Sequence, residues 1–517
     1  MTELPEGWIS VPLRDLGKWQ GGGTPSKARP EFWGGSIPWV SPKDMKTDTI
    51  TTTIDGITPQ AVAGSAANLV PPGSILIVTR SGILAHSFPA AVNAVEVTVN
   101  QDLKALAPSS GLSSEFIRLA LKAFERAILN ECVKDGTTVH SIELPALMEF
   151  EIPLPPLPEQ HRIVAKIEAL FSELDAGQDS LTRAQAQLKL YRQSLLKAAF
   201  QGRLTDDWRK ANPEKLEPPE TLLARIRAER DSWYEEEQER WEERCAVWDA
   251  TGRIGPRPSR ADRYTPTTAL TLDELAVLPD LPVGWVYARL NDVACVGSGV
   301  SVSKARKHQD PVEVPYLRVA NVQRGFLDLS QMKSMLIEKS QLTSLALRTH
   351  DILFNEGGDR DKLGRGWVWE DAMTPCITQN HVFRATLYRG YEAVAKLLSH
   401  WGNSYGRDYF EKGGKQTTNL ASINKTVLKA LPVPIMSSAE AEVLFERLEA
   451  ALSKVDAMEI EITTALAKLS ALRQSILKKA FSGQLVPQDP TDEPAAALLS
   501  RLREAAPKEK TRRKVRA

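Results

Sequence analysis

Cysteine is scarce: Cys132, Cys245, Cys295 and Cys376 are scattered through 517 residues. Their separations fit neither a metal-ligand spacing nor a disulfide framework, and they read as reduced thiols of a cytoplasmic protein. No run of about 18 or more apolar residues occurs, and Met1 to Trp19 lacks a basic stretch followed by an apolar one. Membrane insertion and secretion are therefore not expected. Net charge is absent too, with 65 Lys and Arg against 65 Asp and Glu. A uniformly basic nucleic-acid binder is thereby excluded.

Catalytic signatures are also missing. A phosphate-cradling loop needs Gly, four residues, then Gly-Lys-Ser or Gly-Lys-Thr, but the Gly-Lys pairs are followed by Trp19 and Gln416. Gly21-Gly22-Gly23 and Gly357-Gly358 lack dinucleotide-loop spacing. Pro-Pro occurs at 71, 155 and 218 without the preceding Asn or Asp and following aromatic of a base methyltransferase. His86, His140, His161, His308, His350, His381 and His400 show no metal-ligand spacing. Asp359 and Asp361 could hold Mg²⁺, but beside Arg360, Lys362 and Arg365 a salt-bridged loop is the simpler reading.

What is present is ordinary in bulk and informative in arrangement. Apolar content of 42% and charged content of 25% belong to a globular chain, and the length suggests roughly two to four domains. Acid concentrates between Glu214 and Glu243, whereas residues 281–436 hold about 20 Lys and Arg against about 14 Asp and Glu. A basic recognition surface and an acidic linker can thus cancel in the total, although residues 1–150 are slightly acidic.

The chain contains an internal repeat. Residues 192–204 recur at 473–485 with nine of thirteen positions identical, a shift of 473 − 192 = 281. The same shift takes Asp175 to Asp456 and Ser141-Ile142 to Ser422-Ile423. Leu4-Pro5-Glu6-Gly7-Trp8 is answered by Leu281-Pro282-Val283-Gly284-Trp285, at a slightly different offset. One shift across so many landmarks implies duplication of a whole half. Each half begins with a mixed stretch in which β-rich runs such as Ser74 to Thr79 and Asp351 to Phe354 alternate with turns, and Glu115 to Leu129 reads as helical.

A long helical pattern closes each half. Apolar or small residues stand at Ile163, Ile167, Leu170, Leu174, Leu181, Ala184, Leu188, Tyr191 and Leu195, interrupted only by Gly177. The second half shows the same spacing at Leu444, Leu448, Ala451, Val455, Met458, Ile462, Ala465, Leu469, Leu472 and Ile476. Steps of three and four average 3.5, which keeps one stripe facing one partner helix. About 40 residues at ~1.5 Å each make a ~60 Å rod. Two such rods most simply pair antiparallel with each other; the alternative is that each packs on its own domain. Ser437 with Glu440 forms a potential capping box, and Gly202 and Gly483 suit helix ends.

The expected fold is α+β: two duplicated α/β domains separated by two long antiparallel coiled-coil helices, with pseudo-twofold symmetry. The divisions are 1–155 and 281–436 for the α/β domains, 156–204 and 437–486 for the long helices, and 205–280 for a charged helix and extended linker. Residues 487–517 supply a short helix and a basic tail. Lys508 to Arg516 serves as an electrostatic contact or merely as a solubilising end.

Residues 152–164, Ile-Pro-Leu-Pro-Pro-Leu-Pro-Glu-Gln-His-Arg-Ile-Val, and the repeated Ser-Leu/Ile-Leu-Lys-x-Ala-Phe-x-Gly-x-Leu resemble conserved regions of the DNA specificity subunits of type I restriction-modification enzymes. Residues 22–27, 32–40 and 42–45 are similar to the opening of a first target-recognition domain, and Pro315 to Val322 to that of a second. Two departures stand out: the long 205–280 insert, and Glu440-Ala441 where the first half has Glu159-Gln160.

The resemblance implies a non-catalytic subunit that reads a bipartite double-stranded DNA target and sets the gap between its halves with the helical pair. It implies two modification subunits and two restriction subunits as partners. Those subunits, not this chain, use S-adenosylmethionine, ATP and Mg²⁺. Phosphate contacts favour Lys and Arg, and base edges favour Arg, Lys, Asn, Gln, Ser or Thr on loops. Resemblance and composition together nominate Lys27, Arg29, Ser41, Lys43, Arg80, Thr137 and Thr138 in the first half. In the second they nominate Lys304, Arg306, Lys307, Arg318, Asn321, Asn355, Gln416, Thr417 and Thr418. Trp39 and Tyr316 read as core residues. An enzyme with its own methyltransferase or nuclease site, and a scaffold without DNA specificity, are the competing readings.

Overall fold

Two helices of 44 residues, Leu157–Phe200 and Ser438–Phe481, dominate the computed structural model. The structure describes residues 4–134, 140–260, 262–302, 308–389, 391–416 and 421–505. The chain is a mixture of helix and strand that divides into two units, Met1–Arg183 with Ile462–Ala517, and Ala184–Glu461. Each unit thus takes one half of each long helix.

In the first unit a five-stranded sheet runs in the order Gly17–Gly21, Leu103–Pro108, Ile75–Val78, Ala90–Asn93, Thr49–Ile50. Ile75–Val78 is buried at every position. A strand covered on both faces needs a continuous apolar run rather than alternation, which is what its sequence provides. Helix Ser114–Ala123 packs on this sheet, started by Ser113, whose hydroxyl accepts the Phe116 N–H at 3.2 Å. The helical run expected over 115–129 is two helices, because the backbone breaks at Phe124 before Glu125–Cys132. A four-stranded sheet, Asp55–Ile57, Trp33–Val40, Val97–Val99, Leu69–Val70, contains a parallel pairing of Trp39 with Thr98. Ile9–Pro12 pairs antiparallel with Glu151–Leu154, immediately before the first long helix.

In the second unit Ala294–Ser298, Val382–Leu387 and Ile352–Asn355 pair in the order corresponding to the first three strands above. Lys333–Glu338, Pro311–Leu317 and Ile377–Thr378 form a second sheet, with Tyr316 parallel to Ile377. Val286–Arg289 pairs antiparallel with Pro432–Ile435, immediately before the second long helix.

The long helices pack against each other within each unit. In the first, Ile163 and Ile167 share a core with Leu477, Ala480 and Phe481. In the second, Leu195 and Ala199 share one with Leu444, Leu448 and Leu452. Rising numbers on one helix meet falling numbers on the other in both units, as the ion pairs Arg473–Asp175 and Arg192–Asp456 also show. Leu170, Leu174, Leu181, Leu188, Ile462, Leu469 and Ile476 are half-buried, and Val455 is buried. Three expected seam residues are not on the seam: Tyr191 is 54% exposed, Met458 50% and Leu472 49%. Their neighbours Arg192, Glu459 and Arg473 turn inward instead. A helix with 3.6 residues per turn drifts by ~20° per heptad from a 3.5-residue stripe, so a stripe drawn on one register leaves the interface.

Both long helices end at a glycine with positive φ, Gly202 at 67° and Gly483 at 72°, where a left-handed residue closes the helix. A Cβ on Gly202 would meet Pro282 Cγ at 2.5 Å, and one on Gly483 would meet Pro5 Cγ at 2.3 Å. The capping box expected at Ser437 and Glu440 is half made. The Ser437 hydroxyl accepts the Glu440 N–H at 3.3 Å, but the buried Glu440 carboxylate accepts from Thr205 Oγ1 at 2.7 Å and Arg209 Nη1 at 2.6 Å. A guanidinium offers a buried carboxylate more than a serine N–H does.

The 205–280 insert belongs to the second unit. Helix Pro219–Ala250 buries Leu222, Ile226, Trp233, Glu237 and Cys245. The segment expected as an extended linker is anchored: Tyr264 donates to Asp292 at 2.7 Å, Asn291 to the Thr265 carbonyl at 2.9 Å, and Arg289 to the Thr268 carbonyl at 3.0 Å. It also forms a short helix, Leu272–Ala276, with a complete Thr271/Glu274 capping box. Ala495–Ala505 is helical, and Lys508 to Arg516 lies outside the described residues.

Candidate nucleic-acid interface

In the first unit the loop Asn100-Gln101-Asp102 joins the strand Val97–Val99 of one sheet to Leu103–Pro108 of the other. It gathers three other segments. The Asn100 N–H donates to the Val40 carbonyl at 2.9 Å, and the Thr79 and Arg80 N–H groups donate to the Asp102 carbonyl at 2.8 and 3.2 Å. Thr24 Oγ1 hydrogen-bonds Gln101. Ser41, Lys43 and Arg80 therefore flank one loop, with Lys43 and Arg80 exposed. Ser41 is committed: its N–H and hydroxyl donate to Asp44 Oδ2 at 2.9 and 2.8 Å, while Asp44 Oδ1 accepts from Ile54 N–H at 2.9 Å. Lys27 and Arg29 are exposed on the segment leading to Trp33–Val40, and the Arg29 guanidinium stands 5.2 Å from the Phe32 ring centre. Trp39 is core, its indole donating to the Gly23 carbonyl at 3.0 Å.

The second unit builds the same junction at Gln379-Asn380-His381. The Gln379 N–H donates to the Leu317 carbonyl, and the Glu356 N–H to the His381 carbonyl, both at 2.9 Å. His381 Nδ1 lies 2.6 Å from Glu356 Oε2. After the parallel strand an i, i+3 turn recurs, with the Arg318 N–H donating to Asn321 Oδ1 at 3.0 Å.

Two nominated residues are not at the surface. Asn321 is 2% exposed and donates to the Asp328 carbonyl at 2.9 Å. Asn355 is fully buried and donates to the Val322 carbonyl at 2.8 Å. Both amides hold loops together, because a buried amide must satisfy its own hydrogen bonds before it can offer any. Arg318 is half-buried and donates to the Gln331 carbonyl at 2.8 Å. Tyr316 is buried. Gln416 lies on the short strand Lys415–Gln416. Thr137, Thr138, Lys304, Arg306, Lys307, Thr417 and Thr418 lie outside the described residues.

Sequence reasoning passed over Gln101 and over Gln379, Asn380 and His381. The available signal was an amide-rich tripeptide directly after a short buried strand in both halves. Elsewhere Asp359 pairs with Lys362, whose hydrogen bond and charge hold the carboxyl below its ordinary value. Among the described residues no group of three His, Cys, Asp or Glu is placed to hold a metal ion, and no helix is long and apolar enough to cross a membrane.

Residues 5–181 match the family model described as "Type I restriction modification DNA specificity domain". These residues are similar to that domain. The match covers the Gln101 junction and the first part of the first long helix. The chain is 42% identical over 169 residues to the EcoR124I/EcoR124II specificity subunit of Escherichia coli, covering 32% of this chain and 42% of that protein. It therefore spans less than half the length of that relative. It is 22% identical over 516 residues to the EcoKI specificity subunit of Escherichia coli strain K12, covering 97% of this chain and 96% of the relative. A solved chain from a study of complex assembly and conformational transition of the type I R-M system superposes with a TM-score of 0.63 at 17% identity, over 94% of this chain and all of that one. This likeness in fold extends beyond residues 5–181.

Proposed function

We propose that the chain is the non-catalytic specificity subunit of a type I restriction-modification complex, reading a bipartite target in double-stranded DNA through two duplicated recognition domains. The observation that carries this reading is the recurrence of one loop junction: Gln101 with its flanking segments inside the specificity domain, and Gln379-Asn380-His381 with the corresponding segments in the second unit. Exposed Lys27, Arg29, Lys43 and Arg80 supply phosphate contacts beside polar side chains suited to base edges. The long helices act as an antiparallel coiled-coil spacer with pseudo-twofold symmetry, supported by ion pairs that the 281-residue shift carries onto one another. The divisions 1–155, 156–204, 205–280, 281–436, 437–486 and 487–517 are those of its functional parts.

In this reading two modification and two restriction subunits dock on the chain in the cytoplasm, and S-adenosylmethionine, ATP and Mg²⁺ are theirs. The test is genome-wide methylation mapping in a host expressing the chain with its modification subunits. A motif split by a gap of fixed length is expected, and replacing residues 1–155 with another recognition domain should change one half of it. A contiguous motif, or both halves changing together, would overturn the reading.

A further inference from the structure

The linker that follows helix Pro219–Ala250 is unusually rich in arginine. Residues 251–264 hold Arg253, Arg257, Arg260 and Arg263 against one acid, Asp262. All four arginines are exposed. Arg253 is paired with Asp249 at 2.7 Å, and Asp262 is taken by Lys425 at 3.3 Å. Among the described residues Arg257, Arg260 and Arg263 have no ion-pair partner.

Two of these three cations are held in place. The Arg257 and Arg260 guanidinium carbons stand 5.0 and 5.7 Å from the centre of the Trp241 ring. Trp241 is itself fixed, its indole donating to the Pro258 carbonyl at 2.9 Å. Stacking on an indole steadies a guanidinium and leaves its N–H groups free to face outward. The three arginines recur at a spacing of three residues in a run that also holds Pro256 and Pro258. Arg260 also borders a cleft with Arg244, Arg348, Arg384 and Lys425, in which Arg244 Nε is buried without a hydrogen-bond partner. Arg348 and Arg384 are occupied by Glu237 and by the carbonyls of residues 344–346. The cations without such partners are those contributed by the insert.

Unpaired guanidinium groups gathered on one ribbon repel one another, and a polyanion relieves that repulsion. Guanidinium matches phosphate in charge and in its paired N–H geometry. The ribbon lies on the second recognition unit, where the Gly255 N–H donates to Gln309 at 2.7 Å and Ser340 Oγ to the Pro256 carbonyl at 3.1 Å. We propose that Arg257, Arg260 and Arg263 form a phosphate-binding surface that grips the backbone of duplex DNA beside the half-target read by the second unit. This rests on the reading of the chain as a DNA specificity subunit and adds to it a sequence-independent contact made by the insert.

The test is the salt dependence of binding of the complete chain to a labelled duplex of random sequence, followed by fluorescence anisotropy over a series of KCl concentrations. Each phosphate contact contributes about 0.9 to the slope of log K against log salt, so the triple change Arg257→Ala, Arg260→Ala, Arg263→Ala should flatten the slope by about 2–3. Replacing all three by Lys should restore most of the slope, which a merely structural role of the ribbon would not predict. An unchanged slope in a folded alanine variant, with the unaltered chain binding normally, overturns this inference and leaves the functional reading standing. If the unaltered chain shows no salt-dependent binding to duplex DNA, both fall. Should the alanine variant not fold, Arg260→Glu alone decides: affinity at low salt must drop at least tenfold, and no drop overturns the proposal.

Discussion

Arg473 on the second long helix is ion-paired with Asp175 on the first, and its guanidinium stands 4.9 Å from the Phe171 ring centre. The 281-residue shift that takes Arg192 to Arg473 and Asp175 to Asp456 predicts a second pair, Arg192 with Asp456, and that pair is present in the other unit. Arg192 also reaches Glu459 at 3.2 Å. Burial of an Ile or Leu contributes about 1.5–3 kcal/mol and a surface ion pair about 1 kcal/mol or less. Ile163, Ile167 and Leu477 therefore supply most of the stability of the pairing in the first unit, while the ion pair contributes alignment.

Charge exchange tests that alignment. Arg473→Asp or Asp175→Arg alone should lower stability by about 1 kcal/mol, and the double change should recover about half. Urea denaturation of the four proteins measures the coupling, and a double variant no more stable than the sum of the singles would remove the pair from the account. Arg473→Lys should not be silent, because lysine stacks less well over Phe171.

Glycine at the two helix ends is required for two reasons at once, positive φ and the approach of a proline ring. Gly202→Ala and Gly483→Ala should each cost about 2 kcal/mol or more. Gly252→Ala provides the control, since Gly252 shares the positive φ but has open space where a Cβ would stand, and should cost about 1 kcal/mol. Equal losses at all three positions, measured by thermal unfolding, would show that the proline contacts do not matter.

Glu159 carries a pH prediction. Its carboxyl is buried and its pKa is raised, chiefly because burial disfavours the charge, against the lowering effects of the Trp8 hydrogen bond and of Arg162. A raised folded-state value means that the stability contributed by the protonated form is fully present below the ordinary carboxylate range and is lost as pH rises through the folded value. Glu159→Gln keeps an acceptor for the Trp8 indole, now 3.0 Å from Glu159 Oε2. The variant should melt above the unaltered chain at neutral pH, and the difference should vanish in acid. A lower melting temperature at neutral pH would mean that the ionised form is the stabilising one.

Two buried thiols should resist modification. Burial pushes Cys132 up to about 11 and Cys376 up to about 12, so neither carries appreciable thiolate at pH 8. Thiol titration should leave both unlabelled in the folded chain and label all four cysteines after unfolding. Rapid labelling of either in the folded state would contradict the burial.

At the Gln101 junction a positioning residue can be separated from a contacting one. Asp44 ties Ser41 to Ile54 and lies next to exposed Lys43. Asp44→Ala should relax recognition of one half of the methylated motif and leave the other half unchanged. Lys43→Ala should weaken binding to all duplexes alike and flatten the salt slope by about 0.9. Methylation mapping and binding isotherms distinguish the two, and loss of both half-motifs in Asp44→Ala would point to unfolding instead.

Much of this architecture was legible because it depends on local periodicity. Residues 163–195 and 444–476 spell out two long helices, Gly202 and Gly483 mark their ends, and the continuous apolar run at 75–78 marks a doubly covered strand. The loops of the candidate interface were less legible. Asn321 and Asn355 have the side chains of base readers, yet they are spent inside the fold, because burial is decided by segments far away in the sequence. Gln101, exposed at the surface, has no pattern that marks it as a junction until Val40 and Thr79 arrive beside it.

Sequence by itself determined the repeat, the two long helices and their terminating glycines, since each rests on spacing within a few turns of chain. Only the tertiary structure decided that Arg192 and Arg473 rather than Tyr191 and Leu472 face the partner helix, that Glu440 turns to Arg209, and that the insert lies against the second unit. Those outcomes depend on how helices drift in register and on which charges find partners when water is removed, and neither is written in any one segment.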